Sequence, residues 1–256
     1  MPSVGQRFEG GVNEVERVGQ VVHRPVGPWT PAVHALLRHL RAAGFTQGPA
    51  VHGFDGAGRE VLDFIPGEVP DYPLPEYARA DAALVAVGAL LRRLHDASLG
   101  FTPPPGAVWQ LPPREPAEVL CHGDLAPYNC VFRDGELVAA IDFDTAHPGP
   151  RLWDLAYTAY RFVPLSAPEN PDFTAPPDEQ RRRLRLLSDA YGLDPGDRRR
   201  LPETAVRRVR ALAEHIRTQA ALGHPAFARH LAQGHADLYD ADAAHLDRHR
   251  DALSTA

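Results

Sequence analysis

The stretch from Val119 to Asp144 restricts the chain more than any other. It reads Val-Leu-Cys-His-Gly-Asp-Leu-Ala-Pro-Tyr-Asn-Cys-Val-Phe, then Arg-Asp-Gly-Glu, then Leu-Val-Ala-Ala-Ile-Asp-Phe-Asp. Asp134-Gly135 between two apolar runs signals a two-residue hairpin, because these residues tolerate the positive φ angles that such a turn needs. Pairing outward from that turn sets Arg133 opposite Glu136 and, by extension, Asn129 opposite Ala140. Asn129 and Asp142 then become diagonal neighbours, with Cα atoms roughly 7–8 Å apart. Two oxygen-bearing side chains at that separation can share one hard cation. Mg²⁺ suits the pair, since it takes one or two protein oxygens and leaves its other positions to water and phosphates.

Asp124 lies five residues before Asn129. An Asp, an Asn at this spacing and a later Asp on the next strand follow the order of kinase catalytic loops. Three segments occur in order: His122-Gly-Asp-Leu-Ala-Pro-Tyr-Asn129, Ile141-Asp-Phe-Asp144 and Gly149-Pro-Arg-Leu-Trp-Asp-Leu-Ala156. Together they resemble the aminoglycoside phosphotransferase family, which is similar to choline and other small-molecule kinases. The ordered match spans roughly residues 5 to 250.

The resemblance implies an α+β, protein-kinase-like two-lobe fold. A small β-rich N-terminal lobe with its hinge would occupy residues 1–70, and a larger helical lobe residues 71–256. It also implies transfer of the γ-phosphate of ATP or GTP to a hydroxyl of a small molecule. Asp124 would orient and deprotonate that hydroxyl, while Asn129 and Asp142 hold Mg²⁺ on the β- and γ-phosphates. The Gly10-Gly11 turn would lie over the phosphates, where glycine lets backbone N–H groups come close. The Asp63 carbonyl and Ile65 N–H would meet the base, and Asp154 would hydrogen-bond the catalytic-loop backbone.

Arg24 stands where the family carries its phosphate-binding lysine. The family's carboxylate partner on the following helix is missing, with Val33 or His34 near that place. This gap leaves an alternative open, a nucleotide-binding pseudokinase with a regulatory role. A metal-dependent hydrolase built on His122 and Asp124 is the poorer reading, because no His-rich ligand set accompanies them.

Charge and composition narrow the partners. The formal net charge is −6, so no polyanion-binding surface and no nucleic-acid partner are implied. All 27 basic residues are arginine. Cys121 and Cys130 are the two cysteines, too few for a disulfide framework, and they read as small apolar residues at strand ends. No apolar signal region opens the sequence, and the longest apolar run, Ala82 to Leu91, is too short for a bilayer. A cytoplasmic protein without a membrane partner is expected.

Elsewhere the pattern is coarser. Strands are expected at 14–17 and 20–24, and a hairpin at 51–54 and 60–65. Thr30 is expected to cap a helix that starts at Pro31 and ends near Gly44. Further helices are expected at 79–95, from Trp153, and at 178–191, 196–222 and 225–250. The runs Arg181–Arg183 and Arg198–Arg200 read as solvated helix faces, His34 and His39 as packing or solvent-facing residues, and His122 as a brace for its loop.

Overall fold

The computed structural model of the chain describes residues 6–9 and 14–254. Gly10 and Gly11 lie outside the described residues. The described chain divides into two compact units. One takes the chain up to Val69 together with Arg93–Asp124 and Asn129–Pro150; the other takes Pro70–Arg92, Leu125–Tyr128 and the chain from Arg151 onward.

The first unit contains a five-stranded antiparallel sheet. Its strands are β1 (Gln6–Glu9), β2 (Glu14–Val18), β3 (Val21–Arg24), β4 (Val51–Phe54) and β5 (Glu60–Asp63), in the spatial order β1-β2-β3-β5-β4. Gly19, at φ +64°, makes the tight turn between β2 and β3. The β4–β5 turn is built by Asp55, whose Oδ1 accepts from the N–H groups of Ala57 and Arg59 at 2.9 Å each. Because β4 lies outside β5, β3 pairs with β5, and Arg24 falls directly opposite Glu60.

Helix α1 (Thr30–Ala42) buries Ala32, Val33, Leu36, Leu37 and Leu40 along one stripe, as its spacing predicts. Its start differs from expectation. Trp29 occupies the N-cap, and Thr30 is already helical, with its hydroxyl accepting from the Gly27 N–H at 2.9 Å. The hydroxyl is used to close the preceding turn, so it is not left to cap the helix. Gly44 ends the helix as expected, at φ +89°.

The rest of this unit carries the loop of interest. Strand β6 (Val119–Cys121) pairs with β9 (His147–Gly149), and β7 (Cys130–Arg133) pairs with β8 (Glu136–Ala140) through the Asp134-Gly135 turn. Both turn residues have positive φ, 53° and 80°. Arg133 faces Glu136 as expected, but a bulge puts one extra residue, Val138, into β8, so Cys130 rather than Asn129 faces Ala140. Each long edge of this hairpin is met by a connector at one residue. Glu68 exchanges two 2.7 Å hydrogen bonds with Phe132, and Ala140 N–H donates to the Gln47 carbonyl at 2.9 Å. Gly67 is required beside that bridge, since any side chain there would strike the Phe132 carbonyl.

The second unit is helical. It takes the short helix α2 (Glu76–Arg79) and the part of α3 (Asp81–Ala97) up to Arg92. It also takes α4 (Arg151–Phe162), α5 (Pro177–Tyr191), α6 (Pro195–Ala221), α7 (Pro225–Ala232) and α8 (His235–Leu253). Gly88 lets α3 approach Leu187 and Ala190 of α5 closely. The single helix expected at 225–250 is two, because Gly234 adopts φ +80° between them. The run Arg181–Arg183 is only partly a solvated face. Arg182 pairs with Asp81 and Glu179 at the surface, whereas Arg183 is buried and donates to the Phe162 carbonyl at 2.8 Å. Among the described residues no helix is long and apolar enough to cross a membrane.

A buried carboxylate ties α4 to α8. Asp242 is fully enclosed and accepts from Tyr160 O–H at 2.6 Å, Ala167 N–H at 2.7 Å and Asn170 Nδ2 at 2.7 Å. Burial pushes its pKa above the ordinary carboxylate value, against the pull of these donors. Asp242→Leu strands three buried donors at once and is expected to destabilise the protein by about 3 kcal/mol or more. Urea unfolding checks this: the midpoint should fall at an unchanged slope.

Candidate active site

The loop from His122 to Asn129 is held in shape by its own first residue. His122 is fully buried, and its Nε2 donates to the Ile141 carbonyl at 3.0 Å. Its Nδ1 accepts from Asp124 N–H at 3.3 Å, so the two partners together select the Nε2–H tautomer. The ring packs against Phe143 at 4.6 Å, and the His122 carbonyl accepts from the Thr145 hydroxyl at 3.0 Å. Gly123, at φ +85°, sits where a side chain would collide with the Thr145 carbonyl. His122 is the brace that the sequence suggests, and Gly123 makes the close approach possible.

Asp124 and Asn129 are joined directly. The Asn129 amide nitrogen donates to the Asp124 carboxylate at 2.9 Å and to its backbone carbonyl at 2.8 Å. Both donors are thereby spent on Asp124, leaving the amide oxygen as the group available to a cation. Ile141 N–H donates to the Asn129 carbonyl at 2.9 Å. The Asn129–Ala140 pairing expected from the turn is therefore one residue out, and the bulge at Val138 is the reason.

Beyond β8 the chain turns sharply instead of continuing as a strand. Asp142 adopts φ 62° and begins a 3-10 turn, Phe143–Thr145. Left-handed backbone is unusual for a residue with a side chain, and Asp is among the few types that tolerate it. The Asp142 side chain is 44% exposed, while that of Asp144 on the turn is 14% exposed. Helix α1 packs on the same turn.

Arg24 gathers these carboxylates. Its Nε pairs with Glu60 Oε1 at 2.6 Å, one terminal nitrogen donates to Asp142 Oδ1 at 3.1 Å, and the other donates to Asp144 Oδ1. Burial works against its charge, but Asp142, Asp144 and Glu60 outweigh it and hold its pKa above the ordinary arginine value. Burial pushes the Asp144 carboxyl up to about 6; Arg24 opposes the rise, and Asp142 and Glu60 reinforce it. The carboxylate partner that the sequence lacks on the helix is thus present, on β5. Glu60 also meets His34 Nε2 at 2.8 Å through its second oxygen. Glu60 was not singled out by sequence reasoning, and His34 was read only as a packing or solvent-facing residue near the missing carboxylate's place; the β3–β5 register was the signal that would have found Glu60.

The donor set fits a hard divalent ion. Arg24 carries one positive charge against the carboxylates of Glu60, Asp142 and Asp144, leaving an excess of negative charge around it. Among the described residues no cluster of three His, Cys, Asp or Glu side chains offers a closed metal cage. One exposed carboxylate plus one amide oxygen matches an ion that keeps most of its positions for phosphate and water.

Asp63 and Ile65 lie at and beyond the end of β5. Asp63 N–H donates to the Ala50 carbonyl at 3.0 Å, and its carboxylate accepts from Ala50 N–H at 3.1 Å and pairs with His52 at 2.7 Å. Asp154 is buried in the first turn of α4. Cys121 and Cys130 are buried free thiols, as their apolar neighbours predict, and burial raises the Cys130 pKa.

Comparison with known proteins bears on the family and the fold. A curated protein, the trifolitoxin immunity protein of Rhizobium leguminosarum bv. trifolii, is 38% identical over 192 residues, 72% of either chain. Among solved structures, a choline/ethanolamine kinase family protein from Mesorhizobium loti superposes with a TM-score of 0.66 at 19% identity, over 98% of this chain and 92% of that one. An amicoumacin kinase in complex with AMP-PNP, Ca²⁺ and Ami gives 0.65 at 15% identity, over 100% and 89%. These likenesses identify the fold as protein-kinase-like. Residues 26–107 and 106–187 match the phosphotransferase enzyme family, and the chain belongs to that family.

Proposed function

We propose that this phosphotransferase moves the γ-phosphate of ATP or GTP to a hydroxyl of a small molecule. The observation that carries the reading is the joining of Asp124 to Asn129 on a braced loop, beside the Arg24–Asp142 pair. In this reading Asp124 orients the acceptor hydroxyl and takes its proton. The acceptor oxygen then bonds to the γ-phosphorus as the bond to the β–γ bridging oxygen breaks, and the nucleoside diphosphate leaves. Asn129 and Asp142 would hold Mg²⁺, which neutralises charge on the phosphates when bound. Asp63 and Ile65 are the proposed backbone contacts to the base. Residues 1–70 and 71–256 are proposed as the nucleotide-binding and acceptor-binding lobes.

The relatives bear on the acceptor. One is named for immunity to trifolitoxin and another is a kinase of the antibiotic amicoumacin. A hydroxyl-bearing antimicrobial compound is accordingly the proposed substrate class. The pseudokinase alternative was motivated by a missing carboxylate partner for Arg24, and Glu60 removes that motive.

A panel of hydroxyl-bearing antimicrobials tests the reading, with nucleoside diphosphate release and addition of one phosphoryl group as readouts. Arg24→Ala should weaken nucleotide binding and slow transfer. Arg24→Lys should restore neither fully, because one ammonium cannot reach three carboxylates that the fork engages at three nitrogens. Nucleotide binding without transfer to any member of the panel would return the pseudokinase reading.

A further inference from the structure

We infer that Glu60 and His34 are the positioning pair for Arg24, the strand supplying the charge and the helix supplying the hydrogen-bond donor that fixes it. The inference rests on the kinase reading above.

A guanidinium differs from an ammonium in having direction. Its Nε edge and its two terminal nitrogens lie in one plane, so gripping the Nε side decides where the other two point. Glu60 lies against the Nε side at 2.6 Å from directly across the sheet, as a close ion pair and not an aligned hydrogen bond, and so anchors that side by charge. The terminal nitrogens then point to Asp142 and Asp144, the two carboxylates beside the proposed metal and phosphates. Without Glu60 the planar group is held only from its far side, by Asp142 and Asp144, and loses the fixed point that sets its aim.

Glu60 is itself held. It is 2% exposed, and its second oxygen is occupied by His34 Nε2 at 2.8 Å. His34 is equally buried, and its ring lies 5.0 Å from Phe54. A buried ion pair is poor evidence for stability, because desolvation offsets most of the attraction. The arrangement of Arg24, Glu60 and His34 in a row is better explained by aim. The helix thus still contributes through His34, one bond further back.

The test compares two probes, AMP-PNP with Mg²⁺ and adenosine alone, titrated into wild type, Glu60→Gln, His34→Phe and His34→Gln. Glu60→Gln keeps the shape but removes the charge. It should weaken AMP-PNP binding roughly tenfold or more, the scale of a hydrogen bond to a charged group, while leaving adenosine affinity unchanged. His34→Phe should weaken AMP-PNP in the same selective way, and His34→Gln, whose amide can still donate to Glu60, should recover most of the loss. Two results overturn the inference. In one, Glu60→Gln binds AMP-PNP like wild type; in the other, AMP-PNP and adenosine weaken equally, which marks a residue that only supports the fold. Wild type that fails to bind AMP-PNP is a separate result, which fells the kinase reading and this inference with it.

Discussion

Asp124→Asn is expected to lower turnover by about 10²–10⁴-fold, the usual worth of a positioned general base, with nucleotide affinity nearly intact. The substitution keeps size and polarity but removes the site that accepts the proton. It also replaces a charged acceptor of the Asn129 amide with a neutral one, while the second acceptor, the Asp124 backbone carbonyl at 2.8 Å, remains. The loop is further braced by His122 from Ile141, so its shape does not depend on the Asp124 charge. Steady-state kinetics with an acceptor from the panel, alongside AMP-PNP titration, reads both quantities. Wild-type turnover in the variant would rule Asp124 out as the base.

Asp142→Asn is expected to abolish the Mg²⁺ dependence of nucleotide stabilisation. For wild type, nucleotide at about 100 times its dissociation constant should add about 2.7 kcal/mol. That corresponds to a rise of roughly 5–10 °C in Tm for a chain of this size. The rise should shrink sharply when EDTA replaces Mg²⁺. Asn is the appropriate replacement because it tolerates the left-handed backbone at φ 62°, whereas Ala would add strain unrelated to the metal. In the variant, the shifts with Mg²⁺ and with EDTA should coincide. If wild type itself shows equal shifts, Asn129 and Asp142 do not hold a metal on the nucleotide.

Much of the site was legible because its residues are close in sequence. Asp124 and Asn129 lie just before one hairpin and Asp142 just after it, and the Asp134-Gly135 turn fixes where that hairpin folds back. The bulge was not legible. Val138 is one apolar residue in an apolar run, and nothing in Leu-Val-Ala-Ala marks which of them is extra. Its consequence for Asn129 therefore appears only in the paired backbone.

Glu60 was missed for a different reason. It lies 36 residues from Arg24, and the two meet only because β4 takes the outside of the sheet and β5 the place beside β3. Local periodicity identifies a strand but does not order strands in a sheet. The split between α7 and α8 was within reach, since Gly234 is a breaker in an otherwise helical pattern.

The hairpin that follows Asn129 also bears on how strand edges are kept from pairing with another chain. An isolated two-stranded ribbon presents two rows of unpaired backbone groups, each a template for a strand from another chain. Here Glu68 meets one row, at Phe132, and Gln47 the other, at Ala140. A segment as apolar as Cys130–Phe132 would be a nucleus for cross-chain pairing if it stood open, and it sits immediately after the His122–Asn129 loop. A connector residue set against each row leaves the strands with less backbone to offer a second chain. Loss of the Glu68 bridge would therefore show first as aggregation on storage, before any change in catalytic geometry.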